Sequence, residues 1–149
     1  MNEPESLDLT FEDGGRQRGP VTCVGLGLYR LGWTLLFATV EDEDLEVYWG
    51  DVIEVEPTAE GRHRFVRVVE RGPFEHQGYV VGPAFLQSTY FEVFAAALET
   101  AGGSWEVPIN GWLLIHLPRG SSFDVGEELL RERIRAYQAG VTDAPPNSD

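Results

Sequence analysis

The sequence has no lysine, few basic residues and a single cysteine. All 11 basic residues are arginines and they stand against 25 acidic residues, so the formal net charge is -14. This charge repels the phosphates of nucleic acids and of anionic membranes, and it excludes both as expected partners. It attracts a basic protein surface, and salt weakens that attraction. A second interpretation is that the charge only keeps the chain soluble.

The cysteine and the N terminus predict the compartment. Cys23 has no second cysteine for a disulfide within the chain, so we expect a reducing compartment, with the thiol buried in a strand. Residues 1–9 are acidic and lack the basic start of a secretory signal peptide. The longest apolar stretch, residues 21–40, contains Arg30 and several glycines and does not predict a membrane span. Together these features predict a cytoplasmic protein.

Length and composition predict one domain with polar ends. A chain of 149 residues with 42% hydrophobic residues has enough apolar surface for one core. Residues 1–20 and 141–149 are polar and contain glycine or proline, so we expect flexible tails there. A single domain is predicted over residues 21–140, mainly β over 21–82 and β-α-β-β-α over 79–140.

The β-rich half is expected to form a curved antiparallel sheet or a small partial barrel. Short runs of β-branched and aromatic residues alternate with glycine, proline and charged turns, which is typical of antiparallel strands. Residues 51–67 predict a hairpin in which Glu56 pairs with Arg62 and Glu54 opposes Arg64. This register gives the hairpin one ion-paired face and one apolar face.

The second half contains two predicted helices. Residues 89–101 and 124–139 carry apolar residues at helical spacing, with Thr89 and Asp124 as N-caps and glycines just beyond each end. One short strand before the first helix and two between the helices complete a split β-α-β-β-α unit. We therefore expect an α+β fold in which this unit and the β-rich half are fused into a single domain.

A cluster of carboxylates beside aromatic residues is the strongest candidate binding site. It consists of Glu41, Asp42, Glu43, Asp44, Glu46, Tyr48 and Trp49. Charge at such a site steers a basic partner, and exposed rings supply apolar anchors. The alternative is a solvated hairpin tip with both aromatic side chains packed inward. Our leading hypothesis is a non-enzymatic protein-binding module, of which an immunity-type inhibitor of a basic toxin is one specific form.

The sequence contains no linear motif for catalysis, a metal or another cofactor. His63, His76 and His116 lack the spacing of metal ligands, and no nucleophile elbow occurs. No catalytic residue, metal or cofactor is therefore predicted, and the oligomeric state is left open. The alternative hypothesis is a small-molecule-binding or enzymatic domain with a pocket between the two halves, near Arg67, Trp112 and His116.

Several short segments resemble a known bacterial family. They are YRL at residues 29–31, GDVIEVE at 50–56, RFVRVVERG at 64–72 and WLLIHLP at 112–118, followed by a charged last helix. In these segments the chain is similar to the bacterial family catalogued as domain of unknown function (DUF) 4265. The stretch 33–48 departs from the family pattern, so the resemblance does not extend to the acidic cluster. The family has no established activity, and the resemblance implies only a bacterial origin and a size class.

Overall fold

A computed structural model describes residues 5–12, 14–40, 43–58 and 61–141. Within these ranges the chain has the predicted α+β fold, with mostly antiparallel strands and a few helices. The elements are β1 (Glu5–Thr10), β2 (Arg16–Gly25), β3 (Leu28–Leu31), β4 (Leu35–Val40), β5 (Glu43–Val47), β6 (Val52–Pro57), β7 (His63–Glu70), β8 (Phe74–Val80), α1 (Pro83–Leu86), α2 (Thr89–Thr100), β9 (Ser104–Ile109), β10 (Trp112–Pro118) and α3 (Val125–Gln138).

The elements fall into two compact units, the barrel unit (residues 1–73) and the helical unit (residues 74–149). In the barrel unit, β1, β2, β3, β6 and β7 form a closed barrel. Neighbouring strands are antiparallel, except that β1 closes the barrel by pairing with β7 in parallel. The barrel core consists of apolar side chains, namely Leu7, Leu9, Phe11, Val21, Leu31, Leu35, Ala38, Val47, Ile53, Val55 and Phe65.

The predicted N-terminal tail is wrong, because β1 and the first half of β2 lie inside it. Leu7 and Leu9 are buried at alternate positions of β1, and β1 pairs with strands on both sides. A strand with one buried face needs only every second residue to be apolar, so Asp8 between them does not prevent burial. At the other end, Val141 packs on the core of the helical unit. The rest of the predicted C-terminal tail, residues 142–149, lies outside the described residues.

The hairpin of β6 and β7 forms ion pairs in a different register from the predicted one. Glu56 lies opposite Arg64 and Glu54 lies opposite Arg67, and both carboxylates are ion-paired with these arginines. The register shifts twice along β6, once on each side of Ile53 and Glu54. Such irregularities and the geometry of the turn decide which residues pair, and a simple alternating pattern contains neither.

In the helical unit, β8, β10 and β9 form a three-stranded sheet in that order. Since β10 is antiparallel to both neighbours, β8 and β9 are parallel to each other, and the chain between them passes through α2. This is the predicted split β-α-β arrangement, followed by β10 and α3. Both long helices pack with one face of β10 in a core that contains Val81, Phe85, Phe91, Phe94, Ala95, Leu98, Leu113, Ile115, Leu117, Val125, Leu129 and Ala136.

The two long helices begin and end close to the predicted residues. Ser88, rather than Thr89, is the N-cap of α2, and Asp124 is the N-cap of α3 as predicted. Gly102 and Gly140 follow the helices with positive φ angles of 85° and 86°. The hydrogen bonds beyond each helix form a Schellman motif, in which a left-handed residue lets the chain turn back on the last helical carbonyls.

Replacing Gly140 by alanine is expected to destabilise the protein, whereas the same change at Gly126 should not. A Cβ at Gly140 meets nothing within 4 Å, so the cost comes only from the left-handed backbone, about 1 kcal/mol. Gly126 lies inside α3 with ordinary contacts, so Gly126→Ala should stabilise by roughly 0.5 kcal/mol. Urea unfolding of both variants measures these changes, and effects of the same sign would contradict the assigned end of α3.

Candidate functional site

The acidic residues predicted to bind a partner lie on or next to a hairpin of β4 and β5. These strands form a two-stranded sheet of their own, distinct from the closed barrel. Leu35, Ala38 and Val47 belong to the barrel core, so one side of the hairpin is fixed to the barrel unit. We call residues 35–47 the acidic hairpin.

The described residues include part of the predicted acidic cluster. Glu43 and Asp44 lie on β5, where their backbones pair with β4, and Glu46 is exposed. Glu41 and Asp42 lie outside the described residues. Glu43, Asp44 and Glu46 therefore belong to a strand that pairs with β4, rather than to an isolated loop.

Negative charge is concentrated in this part of the sequence. Residues 31–61 contain nine acidic residues and no arginine, lysine or histidine. On the barrel, Glu54 and Glu56 form exposed ion pairs with Arg67 and Arg64. Five of the nine acidic residues belong to the acidic hairpin. Most of the negative charge of residues 31–61 thus lies in the sequence of the acidic hairpin.

Asp51 holds the base of the acidic hairpin, and its side chain is only 1% exposed. Its Oδ1 accepts a hydrogen bond from the Gly72 backbone N–H at 2.8 Å, and its Oδ2 accepts one from the Tyr48 N–H at 3.0 Å. Nη1 of Arg71 also donates to Oδ2, at 3.0 Å, and to the carbonyl oxygen of Glu46. These bonds join the end of β5 to the segment after β7 and hold the base of the acidic hairpin in place.

The two aromatic residues of the predicted cluster, Tyr48 and Trp49, are half-buried. Their exposure is therefore intermediate between the two predicted alternatives, exposed rings and rings packed inward. The Trp49 backbone N–H donates to Thr34 Oγ1 at 3.1 Å. Burial raises the pKa of Tyr48, and the carboxylate of Glu46 raises it further because it repels a phenolate. Both rings therefore stand at the base of the hairpin with part of their surface accessible.

Three tyrosines are expected to ionise above their usual range. Burial is the main cause that raises the pKa of Tyr29, Tyr48 and Tyr79 above 10.0, and the Asp124 carboxylate raises that of Tyr79 further. Because the folded state favours the neutral phenols, their contribution to stability is present below pH 10 and is lost as the pH rises through the folded-state pKa values.

The substitution Asp124→Asn is expected to bring the pKa of Tyr79 closer to 10.0, because a negative neighbour is removed. NMR titration of the tyrosine rings measures this change, with Tyr29 as the internal control. A Tyr79 titration identical to that of the unmodified protein would contradict the proximity of these two side chains.

A chain of three ionisable side chains crosses the sheet of the helical unit. His116 is fully buried on β10, with its Nε2 2.5 Å from Oε2 of Glu106 and its Nδ1 2.7 Å from Nδ1 of His76. His76 lies directly opposite His116 in the pairing of β8 with β10, and Glu106 comes from β9 on the other side. We call these three residues the Glu–His–His chain.

The tautomers of the two histidines in the Glu–His–His chain follow from a charged Glu106 and the distances. A charged Glu106 accepts the Nε2–H of His116, so the lone pair of a neutral His116 is on Nδ1. That lone pair accepts the Nδ1–H of His76, which places the lone pair of a neutral His76 on its Nε2. Both nitrogens of the buried imidazole are thereby engaged.

The three residues predicted around a pocket lie in different units. Arg67 is an exposed residue of the barrel unit, with its Nε 2.7 Å from Glu54 Oε1. Trp112 and His116 lie on the same face of β10 in the helical unit, since they are four residues apart in one strand. The pocket predicted between the two halves stays a prediction.

One open cavity of about 780 Å³ lies in the helical unit, where β10 leads into α3. Three of its lining residues, Asp124, Glu127 and Glu128, are acidic, and Arg119 is the basic one. Oδ1 of Asp124 already accepts the backbone N–H of Glu127 at 3.0 Å. The helix N terminus at this cavity is thus capped by the chain itself, which disfavours an anionic ligand there.

The exposure of the cysteine, possible metal ligands and possible membrane spans were also predicted from the sequence. Cys23 is exposed, contrary to the expected burial, and Val21 is the last buried residue of β2. Among the described residues, no three or more His, Cys, Asp or Glu side chains are grouped so as to hold a metal ion. In the same part of the chain, every helix is too short or too polar to cross a membrane.

Sequence reasoning misses the partners of His116 and the role of Asp51. The alternation in β10 places His116 on the face opposite Ile115, but His76 and Glu106 reach it from separate strands. Only the strand order and register bring these side chains together, and neither is visible in a single sequence. Asp51 follows a glycine before a strand, which is a common turn pattern and does not indicate a buried carboxylate.

Comparison with known proteins identifies no family. No protein-family model matches the chain, and no curated protein matches it. A solved structure of a hypothetical protein from Neisseria gonorrhoeae is similar, with 14% sequence identity and a TM-score of 0.49 over 95% of this chain and 92% of that one. The resemblance to DUF 4265 therefore stays a prediction.

Proposed function

We propose that the chain is a protein-binding module that recognises a basic protein through its acidic hairpin, and that it acts in the cytoplasm of a bacterium. The observation that carries this proposal is the charge of residues 31–61, where nine acidic residues occur without one basic residue. A field of this kind accelerates encounter with a basic surface and selects against acidic ones. The single cysteine supports a reducing compartment.

The construction of the hairpin supports a binding role. Its β-sheet pairing and the hydrogen bonds of Asp51 hold the backbone of β5 before a partner arrives, so little backbone entropy is lost on binding. Tyr48 and Trp49 stand half-buried at its base and offer aromatic surface next to the charge. Inhibition of a basic toxin, as by an immunity protein, is one specific form of this function.

Affinity capture tests the proposal with two variants of equal charge. The hairpin variant carries Glu43→Gln, Asp44→Asn and Glu46→Gln, and the control carries amides at three exposed acidic positions of the helical unit, Glu75, Glu92 and Glu99. The unmodified chain should retain a basic protein from the lysate of its own bacterium at low salt and release it at high salt. The hairpin variant should retain much less of that protein.

The control variant separates a local site from overall charge. Both variants lose three negative charges, so equal losses of capture would show that only net charge matters. Full capture by the hairpin variant would overturn the proposed site, and a partner that stays bound at high salt would overturn the electrostatic mechanism. We expect the control to behave like the unmodified chain.

The alternative prediction, a small-molecule-binding or enzymatic domain, is favoured by one observation, the Glu–His–His chain. It lies wholly in the helical unit and does not include the acidic hairpin. The two functions therefore involve different residues and are tested separately.

A further inference from the structure

We propose that the outer edge of β5 is a docking site for an extended peptide segment in which arginine or lysine alternates with apolar residues. The segment adds to the acidic hairpin as a further strand. This inference rests on the proposed protein-binding function and specifies how the basic partner is recognised. Within the described part of the chain, β5 pairs with β4 alone, so its other edge has no strand beside it.

The ladder of the acidic hairpin shows which backbone groups face this outer edge. The carbonyl oxygen of Glu46 accepts a hydrogen bond from Arg71 Nη1, which lies outside the hairpin, at 2.5 Å. This carbonyl therefore points away from β4. Successive residues of an antiparallel strand direct their N–H and C=O groups alternately toward and away from the neighbouring strand, so those of Asp44 also point away from β4. An added strand can pair with these groups.

The outer edge of β4 is less suitable for an added strand, because it lies beside the barrel. Nε2 of Gln17, a residue of β2, donates to the Leu36 carbonyl oxygen at 2.6 Å, and Oε1 of Gln17 accepts from Trp33 Nε1 at 3.2 Å. The amide of Gln17 is thus held against β4. At β5 the corresponding contact, from Arg71, lies at the base of the hairpin and does not extend to the backbone of Asp44.

The two faces of β5 determine which side chains the partner needs. Val47 is buried in the barrel core and Leu45 is half-buried against it, whereas Glu46 between them is exposed. Side chains of neighbouring strands share the same two faces of a sheet. An added strand therefore places one alternate set of residues beside Leu45, where apolar side chains fit. It places the other set beside Glu46, where arginine or lysine fits.

The charge of the acidic hairpin decides which strands can add. Opposite charges directly across two strands stabilise the pairing, and like charges destabilise it. Residues 31–61 contain nine acidic residues and no basic one, so an acidic strand is repelled, including β5 of a second copy. Charged edges of this kind prevent indiscriminate strand pairing in natural proteins. The edge of β5 therefore selects a basic segment.

Binding of a synthetic peptide that alternates arginine and valine tests the inference, with isothermal titration calorimetry of the full chain as the measurement. The hairpin variant should bind this peptide about tenfold more weakly than the unmodified chain, since it loses the carboxylates of β5. The control variant should bind like the unmodified chain. Equal affinities of the two variants would overturn the selection of basic segments by this edge.

Two N-methylated peptides distinguish strand addition from attraction by charge alone. One carries methyl groups on the backbone nitrogens of arginine and the other on those of valine, so their charges are equal. In an added strand, only one of these two sets of N–H groups faces β5. One methylated peptide should therefore lose affinity at least about tenfold, while the other binds like the parent peptide. Equal affinities of the two, high or low, would overturn strand addition.

Amide hydrogen exchange in the unmodified chain locates the bound peptide. The peptide should slow the exchange of the Asp44 and Glu46 N–H groups at least about tenfold, and it should leave that of Ile53 in the barrel unchanged. Slow exchange at both positions before the peptide is added would show that the edge is already occupied, and would overturn the inference.

The outcomes separate strand addition from the proposed function. If the hairpin variant fails to capture the basic protein but both methylated peptides bind equally, the acidic hairpin binds without strand addition, and only this inference is overturned. If the hairpin variant captures the basic protein fully, the proposed function is overturned together with the inference.

Discussion

The substitution Asp51→Ala is expected to lower the free energy of unfolding of the barrel unit by about 3 to 5 kcal/mol. The carboxylate is almost fully buried, and it accepts hydrogen bonds from the backbone N–H groups of Tyr48 and Gly72 and from Arg71. Alanine removes all three acceptor contacts and leaves two backbone donors without their partner. Such donors cost more than the lost bonds themselves, because they have already been taken out of water.

Denaturant unfolding followed by tryptophan fluorescence measures this effect in a background with Trp105→Phe and Trp112→Phe, in which the remaining tryptophans, Trp33 and Trp49, both lie in the barrel unit. The matched control is Glu54→Ala, which removes an exposed carboxylate that is ion-paired with Arg67 and should cost no more than about 1 kcal/mol. If both variants unfold at the same denaturant concentration, Asp51 does not hold the hairpin as described.

The substitution Phe94→Ala is expected to destabilise the helical unit by about 3 to 5 kcal/mol. Phe94 is 1% exposed, and its ring centroid lies 6.1 Å from that of Phe91 and 6.3 Å from that of Phe123. Alanine therefore opens a cavity in the centre of an aromatic cluster. The loss includes both the transfer of the ring from water and the contacts that its neighbours no longer make.

The neighbouring residue of α2 provides the control for Phe94. Val93 is 52% exposed, so Val93→Ala changes the same helix with little effect on the core and should shift stability by less than about 0.5 kcal/mol. Thermal or denaturant unfolding monitored by far-UV circular dichroism compares the two. A loss at Val93 equal to that at Phe94 would place the core on the wrong face of α2.

Much of the fold is predictable because local patterns agree with the final packing. The apolar spacing and the caps of residues 89–101 and 124–139 predict α2 and α3 nearly to the residue. Strands are harder, because their partners are distant in sequence. Leu7 and Leu9 lie between acidic residues, and only pairing of β1 with β2 and β7 explains their burial.

The candidate sites differ in how far sequence predicts them. The acidic hairpin is visible as a run of carboxylates after an apolar strand, although its anchor at Asp51 is not. The Glu–His–His chain leaves no linear signal, because His76 and His116 are 40 positions apart and meet through strand pairing. A site that consists of clustered charges can thus be predicted from the sequence alone. A site that consists of hydrogen bonds across a sheet can be predicted only when the register of the strands is known.

The association rate constant of the captured basic protein, measured over a range of salt concentrations, tests the central claim most directly. Electrostatic steering by the acidic hairpin predicts that the rate constant for the unmodified chain falls as salt rises. The hairpin variant should associate more slowly at low salt and depend less on salt, while the control variant follows the unmodified chain. Identical rate constants for the hairpin variant and the unmodified chain at every salt concentration would contradict recognition through the acidic hairpin.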